Sequence, residues 1–296
     1  MQTFPVHKEY AKGPDFIQIT PEHIKEQLRF AQENNIDGFI VAQDGSQPVF
    51  PNLSFLPADV VRGLTINYAN IGDISAINSF HNLEVFNAGI TTPPSAILLE
   101  NFPKLRILNI LWHKNYKSLQ KAVNLIRLSL WAYKPASRNL QELASLNNLI
   151  YVTLTQAGVD TLDGIEKLGK LKELSMRNVR SLKRFFSDNR DMSAPLEDLS
   201  FSKCPNLELE SIPHMASLKE IGFNQIGKKE TLRQLLNKLP NLNYVGIAQS
   251  ELAEGNLDYF LEHTTLTRVT LDRKKHYSMT EKEINALLDK KNSRNT

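Results

Sequence analysis

Three acidic residues, Glu173, Asp198 and Glu220, recur at intervals of 25 and 22 residues. If that interval sets them on adjacent strands, their carboxylates stand about 5 Å apart. Like charges so placed cost a few tenths of a kcal/mol or more per pair, which suits them to a cationic counterpart. Lys172, Lys219, Arg177 and Lys203 fall on or beside the same face, and compensation by them is the alternative. A second concentration lies upstream, where Ile107, Leu111, Trp112, Arg127, Trp131, Tyr133 and Tyr151 include both tryptophans of the chain. Aromatic anchors beside a charged field have the composition of binding hot spots. The alternative there is that Trp112 and Tyr133 turn inward and pack.

No catalytic constellation accompanies these groups. The sequence holds no P-loop, dinucleotide fingerprint, zincin motif or nucleophile elbow. His7, His23, His81, His113, His214, His263 and His276 are scattered without ligand spacing. Cys204 is the single cysteine; it leaves no internal disulfide and no cysteine-rich zinc site, and it reads as a small buried filler. Arg177, Arg180, Lys183, Arg184 and Arg190 surround Phe185 and Phe186, a mixture that can grip nucleic acid. Asp188 and Asp191 interrupt that run, and Leu182 with one phenylalanine fits an apolar wall. We therefore expect no enzyme activity, no catalytic residue, no metal and no cofactor, and nucleic acid is not the expected partner.

The elements that position these residues follow from an internal repeat. A six-residue pattern, apolar-x-x-apolar-x-apolar, begins at Leu105, Leu125, Leu149, Leu171, Leu196, Leu218, Leu242 and Leu266, and more loosely at Ile36, Val61 and Leu83. The steps between starts run from 20 to 25 residues, the period of a leucine-rich repeat. The fourth and sixth positions point to one side of a strand. That side is buried only if the strands stack side by side in a parallel sheet. A second apolar set, such as Ile71, Ile74, Ile77 and Phe80, or Val159, Leu162, Ile165 and Leu168, has the spacing of short helical or 3₁₀ turns on an opposite wall. The third, fifth and seventh positions then project from the sheet. The third reads Gly38, Gly63, Val85, Ile107, Arg127, Tyr151, Glu173, Asp198, Glu220, Tyr244 and Arg268. The fifth is mostly small and polar, and the seventh places Leu111 beside Trp131.

Two stretches carry a resemblance to a family. Asn70-Ile71-Gly72-Asp73-Ile74-Ser75-Ala76-Ile77, leading to His81-Asn82-Leu83-Glu84, resembles the 22-residue unit of bacterial internalin-like leucine-rich repeat proteins. Val159-Asp160-Thr161-Leu162-Asp163-Gly164-Ile165, leading to Lys170-Leu171-Lys172-Glu173-Leu174, does likewise. The resemblance covers residues 36–272 and implies an α/β solenoid with a curved parallel sheet on the concave side and short helices and 3₁₀ turns on the convex side. The family's asparagine ladder would fall at Asp44, Ala69, Thr91, His113, Tyr133, Ala157, Val179, Cys204, Ile226, Ser250 and Lys274. None is Asn, so the turns must satisfy their backbone groups by other means.

Helical caps are expected at both ends. Thr20-Pro21 can start a helix that runs to about residue 34, with Ile24, Leu28 and Ala31 on one face and a strand over 16–20 before it. Thr280 and Glu283 have the spacing of a capping box ahead of Ile284, Leu287 and Leu288. Residues 43–58, with Pro48, Pro51 and Pro57, read as a long loop. The expected organisation is a single domain: an N-terminal cap over 1–35, about eleven repeats over 36–272, and a C-terminal cap over 273–296.

Of 35 basic and 32 acidic residues, seven and three lie from Arg273 onward, so residues 1–272 hold 28 basic against 29 acidic. The basic balance thus belongs to the C-terminal cap. The opening residues lack the apolar core of a secretory signal, and no run of about 18 apolar residues occurs. A cytoplasmic protein without membrane insertion is expected. The expected function is non-catalytic recognition of another protein, one with a basic patch, on the concave face. The candidate contacts are Ile107, Leu111, Trp112, Arg127, Trp131, Tyr151, Glu173, Asp198, Glu220 and Tyr244. An intracellular immunity protein or inhibitor of a toxic enzyme is the alternative.

Overall fold

A computed structural model of the protein describes residues 4–7, 13–42, 50, 52–67, 71–89 and 93–293. The chain forms two compact units, Met1–Tyr133 and Lys134–Thr296. Residues 43–49 and 51 of the expected loop, and the ladder positions Asp44, Ala69 and Thr91, lie outside the described residues.

In the first unit, strands Phe16–Ile19, Gly38–Ala42, Gly63–Asn67, Val85–Ala88, Ile107–Leu111 and Arg127–Trp131 pair in parallel and in chain order. Val6–His7 adds an antiparallel edge on Phe16–Ile19. In the second unit, Tyr151–Thr155, Glu173–Arg177, Asp198–Ser202, Glu220–Asn224, Tyr244–Ala248 and Arg268–Leu271 pair in the same sense. Registers match the repeat without slippage: Leu174 faces Leu199, which faces Ile221. A one-residue slip would turn each apolar row to solvent, so burial of the fourth and sixth positions holds the alignment.

The opposite wall is built as the second apolar set predicts. Ile74, Ile77 and Phe80 are buried around the 3₁₀ turn Ser75–Ser79, and Val159, Leu162, Ile165 and Leu168 around Ile165–Lys167. Further 3₁₀ turns and the short helices Arg233–Leu236 and Tyr259–Glu262 continue the pattern. Phe50, Leu53 and Leu56 are also buried, so the described part of the proline-rich loop contributes core.

The missing asparagine ladder has a backbone replacement. Ala132, Gln156, Asn178, Lys203, Gln225 and Gln249, each directly after a strand, all have φ between 49° and 56°. This left-handed turn aims the N–H at the next repeat. Gln156 N donates to Arg177 O at 2.8 Å, Asn178 N to Ser202 O at 2.6 Å and Lys203 N to Asn224 O at 2.8 Å. The ladder positions that follow hold Tyr133, Ala157, Val179 and Ile226, all buried. At Ser250 a side chain takes the asparagine's part: its hydroxyl accepts from Ile226 N at 3.1 Å and donates to Ala248 O at 3.0 Å. The Cys204 thiol sits 3.6 Å from Met176 O and 3.5 Å from Ser202 O.

Both ends are covered. The strand Phe16–Ile19 is followed by a 3₁₀ turn, Pro21–His23, and the helix Ile24–Glu33. Ile17 and Ile19 are fully buried, and Pro14 stands 22 residues before Ile36. The repeat register therefore extends into the segment expected to be cap alone. The C-terminal helix Glu281–Asn292 has the expected capping box between Thr280 and Glu283. Ile284 and Leu288 are buried, but Leu287, grouped with them from the sequence, is 43% exposed. It points away because only one stripe of this helix meets the last repeat.

Candidate interaction surface

The face of each sheet opposite its core carries the candidate residues. In the first unit, the third-position row runs Phe16, Gly38, Gly63, Val85, Ile107 and Arg127 by register. Phe16 lies along this row. A Cβ on Gly63 would stand 2.5 Å from Phe16 Cζ, and one on Gly38 would stand 2.8 Å from Phe16 Cγ. The two glycines are thus the seat of a ring supplied by the chain itself. Phe16, Ile40 and Val85 form a buried cluster against which Ile107 packs. Alongside, Asn87 Nδ2 donates to Thr65 Oγ1 at 3.0 Å and Asn109 Nδ2 to Asn87 Oδ1 at 2.6 Å.

Leu111 and Trp131 are register partners, as the spacing predicts. Trp131 is 47% exposed, and Arg127 is exposed on the same strand. Trp112 is half-buried; its ring stacks on Tyr116 at 6.2 Å and meets the edge of Tyr133 at 5.3 Å. Tyr133 is fully buried. The inward alternative therefore holds for Tyr133, which fills the ladder position, while Trp112 lies against it at the rim.

In the second unit, the third-position row is Tyr151, Glu173, Asp198, Glu220, Tyr244 and Arg268. Two tyrosines thus flank three carboxylates. Tyr244 folds toward Gly246, where a Cβ would stand 2.7 Å from the phenol oxygen. Glu173 and Glu220 are exposed and Asp198 is half-buried. Burial pushes the Asp198 carboxyl above its ordinary value, and the charges of Glu220 and Glu173 add to the rise.

The alternative, compensation by neighbouring cations, is not what the side chains do. Lys172 and Lys219 both donate to Glu197, at 2.8 Å each, and hold its carboxyl down at about 2. Arg177 Nε donates to Ser175 Oγ at 3.1 Å. Among the described residues, none of the three third-position carboxylates has an ion pair or side-chain hydrogen bond. The second-position rows behave oppositely. Arg62 bridges Asp37 and Glu84 at 2.8 Å each in the first unit, and Lys172, Glu197 and Lys219 alternate in the second. In the second unit, the residues just before the strands pair with one another, two lysines on one carboxylate, while the third-position row that opens those strands keeps three like charges.

Two residues escaped the sequence reading. Glu197 was legible at the second position, midway between two lysines 25 and 22 residues away. Phe16 announced itself only indirectly, through Gly38 and Gly63 in the row it covers. The basic run on the other wall is largely spent. Arg184 pairs with Glu208 at 2.9 Å. Arg190 pairs with Asp188 at 2.5 Å, Glu166 at 3.0 Å and Asp163 at 3.5 Å, and lies over the Phe186 ring at 5.4 Å. Phe185 and Phe186 are buried, so no stacking platform is offered.

Parallel strands with this period on one wall and 3₁₀ turns on the other define a leucine-rich repeat solenoid. Neither a protein-family model nor a curated protein sequence matches the chain. Among solved structures, the chain is similar to one in the Toll–Spatzle complex of Drosophila, with a TM-score of 0.57 and 18% identity over 86% of this chain and 34% of that one. It is also similar to the functional domain of InlJ from Listeria monocytogenes, with a TM-score of 0.47 and 11% identity over 80% of this chain and 52% of that one. An internalin, inlF, from the same organism gives 0.43 and 18% over 72% and 67%. The chain therefore spans about half of the InlJ domain and a third of the Toll–Spatzle chain. At these identities the likeness concerns the fold alone. No helix among the described residues is long and apolar enough to cross a membrane.

Proposed function

We propose that the protein is a non-catalytic recognition module that binds a basic surface of another protein on the non-core face of its sheet. One observation carries the reading: Glu173, Asp198 and Glu220 stand in register without a cation, while Lys172 and Lys219 beside them are both committed to Glu197. Like charges on adjacent strands destabilise a fold, so a row left in that state is suited to a cationic partner that relieves it. Tyr151 and Tyr244 at the two ends of the acids supply apolar contact beside the charge. In the first unit, Trp131 and Arg127 are the exposed residues of the types enriched at hot spots. Ile107, Leu111 and Trp112 offer half-buried apolar ground around them.

A cytoplasmic location and a single continuous domain belong to the same proposal. The 24-residue step from Leu125 to Leu149, which keeps the repeat in phase, supports the second. The test begins with recovery of partners from the native host and their identification by mass spectrometry. The affinity of the purified partner is then measured for the wild type and for Asp198→Lys with Glu220→Lys. The reading expects a loss of tenfold or more, a rise in wild-type affinity at low salt, and a smaller salt dependence in the variant. Unchanged affinity in the double variant would remove the acids from the interface.

A further inference from the structure

A cleft separate from the sheet faces lies in the first unit, between the helix Ile24–Glu33 and the turn carrying Phe55, Pro57 and Val60. Its volume is about 830 Å³, within the range of roughly 300–1,000 Å³ usual for small-molecule sites. Leu28, Ile36, Phe39, Phe55 and Val60 make its walls mostly apolar. Val60 is 49% exposed, a branched apolar side chain left in water at the mouth.

The charges at the rim are unbalanced. Lys25 and Arg29 are four residues apart on the helix, so they share a face one turn apart. Both are exposed, and neither has an acidic partner among the described residues. Asp37, which also lines the cleft, is already committed, accepting from Arg62 at 2.8 Å. Two uncommitted cations therefore stand over an apolar floor whose carboxylate is held by Arg62, a guanidinium it shares with Glu84.

We propose that this cleft binds a small amphipathic carboxylate, an anionic head carried on an apolar body. Arg29 and Lys25 hold the head by charge-assisted hydrogen bonds. Leu28, Phe55 and Val60, the accessible apolar walls, take the body out of water. A neutral apolar molecule would leave both cations unanswered, and an inorganic anion would leave the walls wet. The proposal is independent of the protein-binding face, which uses none of these residues.

The test is calorimetric titration of the full chain with dodecanoate below its micelle concentration, with dodecylammonium as the oppositely charged counterpart. The expected result is saturable dodecanoate binding at one site and weaker binding of dodecylammonium. Lys25→Glu with Arg29→Glu should weaken dodecanoate at least about tenfold, and Val60→Asp should do the same from the apolar side. All three positions are exposed, so melting temperatures report intact folding, and Arg29→Gln serves as the milder substitution. Absence of dodecanoate binding, equal binding of dodecylammonium, or undiminished binding by a folded double variant overturns the proposal.

Discussion

Asn285 completes the strand that Val269 would otherwise lack. Its side-chain oxygen accepts from Val269 N at 2.8 Å, and its side-chain nitrogen donates to Val269 O at 2.8 Å. Glu281 accepts from Leu271 N at 3.0 Å two residues along. The strand Arg268–Leu271 ends the sheet of the second unit, and an open edge of this kind invites another chain. Side chains of the C-terminal helix take the place of a further strand.

Asn285→Ala should therefore cost about 1–3 kcal/mol, because it strands a donor and an acceptor together. Asn285→Asp should also destabilise at neutral pH, since it keeps an oxygen for the Val269 N–H but sets a second carboxylate oxygen against Val269 O. Urea denaturation measures both, and light scattering should show association of the alanine variant through its opened edge.

Gly63→Ala should destabilise the first unit by about 1–3 kcal/mol through overpacking against Phe16. Phe16→Ala should cost less in that background than in the wild type, because it removes the ring atoms 2.5 and 2.7 Å from the new methyl. A double-mutant cycle reads the coupling. Rescue should be partial at Gly63, whose methyl also meets Pro14 Cγ at 2.7 Å, and weaker at Gly38, where the further obstacle is backbone, Asp15 O at 2.6 Å.

Acid titration should separate Glu197 from Asp198. The Glu197 carboxyl is held down from 4.5 to about 2 by Lys172 and Lys219. Its contribution is present above the unfolded value and is lost as pH falls through the folded one. The difference in melting temperature between wild type and Glu197→Gln should shrink between about pH 4.5 and about pH 2. Asp198 is raised, chiefly by burial, so its sign is opposite. Asp198→Asn should stabilise the protein at neutral pH, and that advantage should fade on acidification.

Ala132→Gly should stabilise by about 0.5–1 kcal/mol. Ala132 has φ of 56°, a conformation that costs an L-residue about 1–2 kcal/mol and glycine almost nothing. The greater freedom of an unfolded glycine offsets part of the gain. Chemical denaturation midpoints at constant slope provide the measurement.

Cys204 should resist thiol reagents until the protein unfolds. Burial pushes its thiol up to about 11, so little thiolate forms at neutral pH. Labelling by 5,5′-dithiobis(2-nitrobenzoate) with and without denaturant distinguishes this from an accessible nucleophile.

Much of the fold was legible in the sequence because its information is local and periodic. The spacing of Leu171, Leu174 and Met176, repeated down the chain, is enough to say which side chains enter the core and which strands are neighbours. The Thr280–Glu283 box was equally readable, since both partners lie within one helical turn. The same periodicity placed Leu111 beside Trp131 and aligned Glu173, Asp198 and Glu220.

What periodicity leaves open is where a long side chain reaches once its row is set. Lys172 and Lys219 had several carboxylates within reach, and only packing and hydrogen-bond geometry sent both to Glu197. Trp112 and Tyr133 lie 21 residues apart, in successive repeats, and their rings meet; Tyr133, two residues past its strand, is buried at the ladder position, whereas Trp112, one residue past its strand, lies at the rim. Phe16 crosses two glycines 22 and 47 residues away, a contact that exists only after the strands between them have stacked. The sequence by itself determined the repeat, the register and the faces. The tertiary structure decided which charges were neutralised and which remained available, because that balance depends on distances between side chains far apart along the chain.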